Sequence, residues 1–146
     1  MIRRARREDI APIEALVDAA YRHYVPRIGL RPLPMDDDYQ GRIARGEAYV
    51  TGDDEVEGVL VLVAHEEYLL IDNVAVDPRH QGRGLGKALM LFAESHARAI
   101  GREELRLYTN VKMVENRAFY ARLGYEEIEE IEIEGRHGVL MRKRFA

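Results

Sequence analysis

Apolar residues recur along the chain in two rhythms, and the switches between them predict its elements. Ile10, Ile13, Leu16, Val17, Ala20, Tyr21 and Tyr24 follow a helical period. Asp9 precedes them as an expected N-cap, and Pro12 falls in the first turn, where its missing N–H does little harm. Pro26, Gly29, Pro32 and Pro34 then break the pattern, so residues 25–35 are expected to be a loop. A second short helix is expected from Asp36 to about Arg45. Residues 2–5 read as a short first strand. Three more strands follow at residues 48–51, 56–64 and 68–76, and the nearly continuous apolar run of the second suits a strand covered on both faces. The short connections between them predict antiparallel hairpins.

After Asp77-Pro78 a glycine-rich turn leads into a long helix. Leu85, Ala88, Leu89, Phe92, Ala93 and Ile100 mark its apolar face, and Gly101 ends it. Residues 105–109 form the next strand, and the long helix before it permits a parallel crossover onto the strand at 68–76. Residues 113–123 read as a helix closed by Gly124. Residues 125–134 and 139–144 read as a hairpin around Gly135-Arg136-His137-Gly138, and the uneven spacing of Ile128, Ile131 and Ile133 predicts a bulge. The expected fold is α/β, a mixed and mostly antiparallel sheet of about seven strands flanked by four helices on both faces. No linker or repeat interrupts residues 1–146, so one domain is expected.

Composition narrows the function. The chain has 146 residues, 47% of them apolar, with both charges interspersed and a net charge of −4. That balance argues against nucleic acid as a partner. The cluster Arg3, Arg4, Arg6 and Arg7 lies beside acids and reads as a solvated edge. There is no cysteine, hence no disulfide, thiolate metal site or cysteine nucleophile. The five histidines show no metal-ligand spacing, so no metal is expected. No membrane-length apolar stretch and no signal-peptide run is present, so a cytoplasmic location is expected.

The chemically informative stretch is Val74-Ala75-Val76-Asp77-Pro78-Arg79-His80-Gln81-Gly82-Arg83-Gly84-Leu85-Gly86-Lys87. A buried strand ends, a turn with three glycines follows, and a helix begins. Glycines let main-chain amides approach an anion, and the helix start adds unpaired N–H groups and a positive dipole end. With Arg83 and Lys87, this predicts a phosphate or diphosphate site. A nucleotide P-loop needs glycine where Gln81 stands and Ser or Thr where Ala88 stands. A dinucleotide fingerprint needs glycine at Lys87 or Leu89. Neither fits.

Gln81-Gly82-Arg83-Gly84-Leu85-Gly86 resembles the diphosphate loop Gln/Arg-x-x-Gly-x-Gly/Ala of the GNAT superfamily of acetyl-CoA-dependent N-acetyltransferases. Asn116-Arg117-Ala118-Phe119-Tyr120-Ala121-Arg122-Leu123-Gly124-Tyr125 is similar to that family's Asn-x-Ala-x-x-Tyr-x-x-x-Gly-Phe/Tyr helix, and the element order resembles the family's fold over essentially the whole chain. The resemblance implies acetyl-CoA as co-substrate and direct transfer of its acetyl group to a primary amine in a ternary complex. It implies that the strands at 68–76 and 105–109 splay apart around the cofactor. Main-chain groups of Val74, Ala75 and Val76 would then bind its pantetheine arm and polarise the acetyl carbonyl. Gln81, Gly82, Arg83, Gly84, Leu85, Gly86 and Lys87 would hold the diphosphate, and Asn116 the arm. Tyr120, one helical turn on, would donate a proton to the departing thiolate. Phe119 and Asn110 are further cofactor-contact candidates, each equally compatible with packing or capping.

For the base that deprotonates the amine, the resemblance implies a strand carboxylate; Asp72 comes first, because it lies in the match to the family's fourth strand and is an acid within a buried strand, and Glu67 second. Relatives that place an acid two residues earlier have it where this chain has Leu70; a paired Asp72, with water as base, is the competing reading. The segment Met35-Asp36-Asp37-Asp38-Tyr39 is expected near the acceptor. Its acids suit a helix start better than they suit a cationic amine, while Arg27 and Arg31 would equally suit an anionic acceptor. The acceptor is expected to be a small molecule or a peptide, and the protein a monomer or homodimer. A protein lysine or N-terminal acetyltransferase and an acyl-CoA sensor without turnover are the rival readings.

Overall fold

Seven strands hydrogen-bond into one sheet, in a computed structural model that describes residues 1–145. The strands are β1 (Ile2–Arg4), β2 (Ala48–Thr51), β3 (Gly58–Ala64), β4 (Leu69–Val76), β5 (Glu104–Asn110), β6 (Glu126–Ile133) and β7 (Arg136–Arg144). Their spatial order is β1-β2-β3-β4-β5-β7-β6. Every neighbouring pair is antiparallel except β4 with β5, which a long helix connects as expected. The α-helices are α1 (Ile10–Tyr21), α2 (Tyr24–Ile28), α3 (Tyr39–Ala44), α4 (Leu85–Ala99) and α5 (Val114–Arg122).

Side-chain alternation divides the core by sheet face. Leu60, Leu62, Leu69, Ile71 and Leu107 pack with Leu89 and Ala93 of α4 and Tyr120 of α5. Val59, Val61 and Ala75 pack with Ile13, Leu16 and Val17 of α1 and Tyr39 of α3. This explains the unbroken apolar run of β3, which both layers cover.

Among the described residues there are five α-helices where four were expected. The additional one, α2, lies within the predicted loop 25–35. Pro26 is its third residue, so the missing donor falls in the unpaired first turn, and Gly29 ends it at φ +84°. The expected helix start at Asp36 is also displaced. Leu33–Asp36 is a 3₁₀ turn, and α3 begins at Tyr39, capped by Asp38, whose carboxylate accepts from Gly41 N at 3.1 Å. Asp9 does not cap α1 with its side chain. Its carboxylate reaches back to Arg6 N at 2.7 Å and pairs with Arg3 at 2.8 Å, which holds it below the usual carboxylate range. The β6–β7 connection has two residues, not four. Glu134 and Gly135 both take positive φ, which matches the twist of the flanking strands, so β7 starts at Arg136. The expected bulge in β6 is present, with Ile128 as the extra residue.

Candidate active site

β4 and β5 pair at three positions only, Leu69↔Leu105, Leu70↔Arg106 and Ile71↔Leu107. Beyond them β4 runs on to Val76 and β5 to Asn110 without meeting. On its other side β4 pairs with β3, and the register shifts so that Asp72 is left as an extra residue between Ile71 and Asn73. This bulge changes which face each side chain takes. Leu69 and Ile71 join the α4 layer, whereas Ala75 joins the α1 layer. A bulge bends its strand, and here the bend falls where β4 parts from β5.

Asn73 anchors the bend. It is 4% exposed, accepts from Tyr21 Oη at 2.7 Å and donates to Tyr39 Oη at 3.2 Å. Tyr39 Oη in turn donates to the Pro34 carbonyl. Three buried polar groups from α1, β4 and α3 therefore satisfy one another. Replacing Asn73 by Leu leaves both phenols without that partner, and is expected to cost about 2–4 kcal/mol, measured by urea unfolding.

The parting strands open a cavity of about 600 Å³, and Asp72, Val74, Asn110, Asn116 and Tyr120 line it. Tyr120 is 7% exposed, and burial holds its phenol above the usual range. Its hydroxyl has no hydrogen-bond partner among the described residues, so it is a free donor at the cavity wall. Asn116 lies one turn away on α5, its amide 3.7 Å from the Met113 sulfur. Asn110 caps the turn after β5, accepting from Lys112 N at 2.9 Å. Phe119 does not line the cavity. It packs on Tyr120 and faces Gly86, where an added Cβ would lie 3.4 Å from its ring.

Asp72 pairs with Arg42 at 2.8 Å, and a third of its side chain remains exposed. Arg42 also binds Asp37 at 2.9 Å and Glu47 at 3.2 Å. Burial raises the Asp72 pKa, Arg42 opposes that, and Asp37 and Glu47 reinforce it. Glu67 lies in the exposed β3–β4 turn and is not part of the cavity wall. The acids of 36–38 are engaged within the chain: Asp36 with Arg31, Asp37 with Arg42, and Asp38 at the start of α3.

At the far end of β4, Asp77 caps a 3₁₀ turn, Pro78–His80, and residues 81–87 lead into α4. From Gly82 to Lys87 no main-chain N–H finds a main-chain acceptor among the described residues, whereas Ala88 N reaches Gly84 O at 3.0 Å. Gly82 and Gly84 take φ of +83° and +79°, and an added Cβ at either would meet nothing within 4 Å. The backbone requires these glycines, and the space beside them is open. The carbonyl of Val76 accepts from Gln81 Nε2 at 3.4 Å, and that of Val74 from Tyr21 Oη at 3.2 Å. Unpaired amides, an open approach, Arg83 and Lys87 suit a diphosphate, and the gap between β4 and β5 suits an extended arm.

A family model described as an acetyltransferase (GNAT) domain matches residues 44–127, the stretch that contains the gap, residues 81–87 and Tyr120. The chain belongs to the GNAT acetyltransferase family. Among GNAT relatives, a mycothiol acetyltransferase of Saccharomonospora viridis is 45% identical over 56 residues, 38% of this chain and 18% of that protein. An uncharacterised N-acetyltransferase of Bacillus subtilis, YvbK, is 30% identical over 94 residues, 63% of this chain and 61% of that one. The matches thus span less than two thirds of these relatives' lengths. The fold is similar to that of the PaiA N-acetyltransferase of Thermoplasma acidophilum in complex with coenzyme A (TM-score 0.84, 17% identity, 99% and 98% of the two chains). It is also similar to that of the ribosomal-protein-S18-alanine N-acetyltransferase of Escherichia coli (TM-score 0.76, 17% identity, 99% and 92% of the two chains).

The sequence pattern does not single out Asn73 or Tyr21; the signal for them is an Asn inside an apolar strand, next to Asp72.

Proposed function

We propose that this GNAT protein transfers the acetyl group of acetyl-CoA to a primary amine, by direct attack with both substrates bound. The observation that carries the reading is the gap between β4 and β5, with an unpartnered phenol on its wall and unpaired amides beyond the end of β4. Acetyl-CoA, when bound, supplies a thioester whose leaving group is a thiolate. The amides of 82–87, with Arg83 and Lys87, hold the diphosphate, and Asn116 and the backbone at 74–76 orient the arm. Tyr120 Oη directs its proton toward sulfur, where negative charge builds. Asp72 accepts the amine's proton, directly or through one water. The acceptor is a small molecule or a peptide that carries the amine.

The test is release of free thiol from acetyl-CoA across a panel of amines and peptides. No thiol from any member, with acetyl-CoA still bound, would leave a sensor. Because the Asp72 pKa is raised, its deprotonated form is lost at a higher pH than for an ordinary carboxylate. The rate is therefore expected to fall on the acid side above the usual carboxylate range. Asp72→Asn should remove that limb and lower kcat by about 10²-fold.

A further inference from the structure

His80 lies outside the cavity, yet its ring joins two elements beside the diphosphate loop. Its Nε2 is 3.0 Å from Glu55 Oε1, and its Nδ1 is 3.1 Å from Arg83 Nη1. The side chain is only 13% exposed. One tautomer satisfies both contacts: Nε2–H donates to Glu55, and the Nδ1 lone pair accepts from Arg83. Glu55 has a half-exposed side chain on a tightly turned backbone. It sits in the β2–β3 connection, where Gly52 takes φ +132° and an added Cβ would lie 1.9 Å from Glu55 O, so only glycine fits. That connection is stitched to the end of β4, because Asp77 N donates to Glu57 O at 2.9 Å.

We infer that His80 is a positioning residue: anchored by Glu55, it holds the Arg83 guanidinium over the loop, where that cation meets a phosphate of the cofactor. The inference rests on reading residues 81–87 as a phosphate cradle. Arg83 is a long, exposed side chain on a two-glycine turn, and without a partner it would lose rotamer entropy on binding a phosphate. The His80 contact removes part of that loss beforehand.

The same residues suggest a rival. Glu55, Glu57 and His80 offer ligand atoms within 4.8 Å of one another, a spacing that could hold a metal ion. However, Glu55 and Glu57 approach opposite ring nitrogens, at 3.0 and 3.6 Å. The positive charge there already comes from Arg79, 3.5 Å from Glu55, and from Arg83. The arrangement is a relay of hydrogen bonds.

The experiment is a kinetic cycle with acetyl-CoA varied at saturating amine. His80→Ala is expected to raise KM for acetyl-CoA about tenfold with kcat unchanged. Arg83→Ala should do the same, and the double variant should be no worse than Arg83→Ala alone. His80→Asn, whose amide oxygen can stand near the Nδ1 place, should recover most of the loss. Additive effects would show that His80 acts by itself and would overturn the relay, as would a fall in kcat. So would a change in KM on adding Mg²⁺ or a chelator, which would assign a metal site. A Gly84→Glu variant that still binds acetyl-CoA would instead overturn the cradle itself, so the two failures are distinguishable.

Discussion

Tyr120→Phe is expected to lower kcat by about 10²-fold while leaving the affinity for acetyl-CoA unchanged. The asymmetry follows from the surroundings of one oxygen. The ring is part of the core with Tyr125 and Leu89, and Phe keeps that packing. The hydroxyl has no partner among the described residues, so its removal leaves no buried group unsatisfied. Melting temperature should therefore stay within a few degrees. Because burial raises the phenol's pKa, Tyr120 stays protonated throughout the neutral range, and its contribution should not titrate there. Single-turnover kinetics, with calorimetric binding of acetyl-CoA to both proteins, would check each part. Unchanged kcat would remove Tyr120 from the chemistry.

The second large effect is expected at Gly84. Gly84→Glu should weaken acetyl-CoA binding by about 100-fold or more, since the carboxylate projects into the space that a diphosphate needs and repels it. Two costs are separable. Any L-residue at φ +79° is strained by about 1–2 kcal/mol, and Gly84→Ala should show that part alone. The remainder is charge and bulk, because a Cβ at this position touches nothing in the chain. Calorimetry on both variants measures the difference, and equal affinities would count against the site.

The long periodic stretches were legible. α1 and α4 each present an apolar stripe over three turns or more, and β3 carries an apolar run that only a doubly covered strand needs. The glycine-rich turn and the start of α4 were legible because their signals are local: three glycines, two cations and a helix start. What escaped depends on partners. α2 has five residues, and its Pro26 reads as a breaker until the first-turn position is known. The bulge at Asp72 exists only relative to β3, so no pattern within 68–76 could reveal that Asp72 is the unpaired residue. Asp9 looked like a helix cap because the sequence does not show that Arg3 and Arg6 stand behind it. Likewise, the acids of 36–38 suited a helix start or a cationic acceptor, but Arg31 and Arg42 pair with two of them.

The parting of β4 and β5 also bears on solubility. An open strand margin normally sits at the rim of a sheet, where it invites pairing with other molecules and must be blunted by charge or brevity. Here β4 carries such a margin in the middle of the sheet, with helices covering both faces. Lying in mid-sheet rather than at a rim, this margin is less open to edge-to-edge pairing with another sheet than a free edge strand would be.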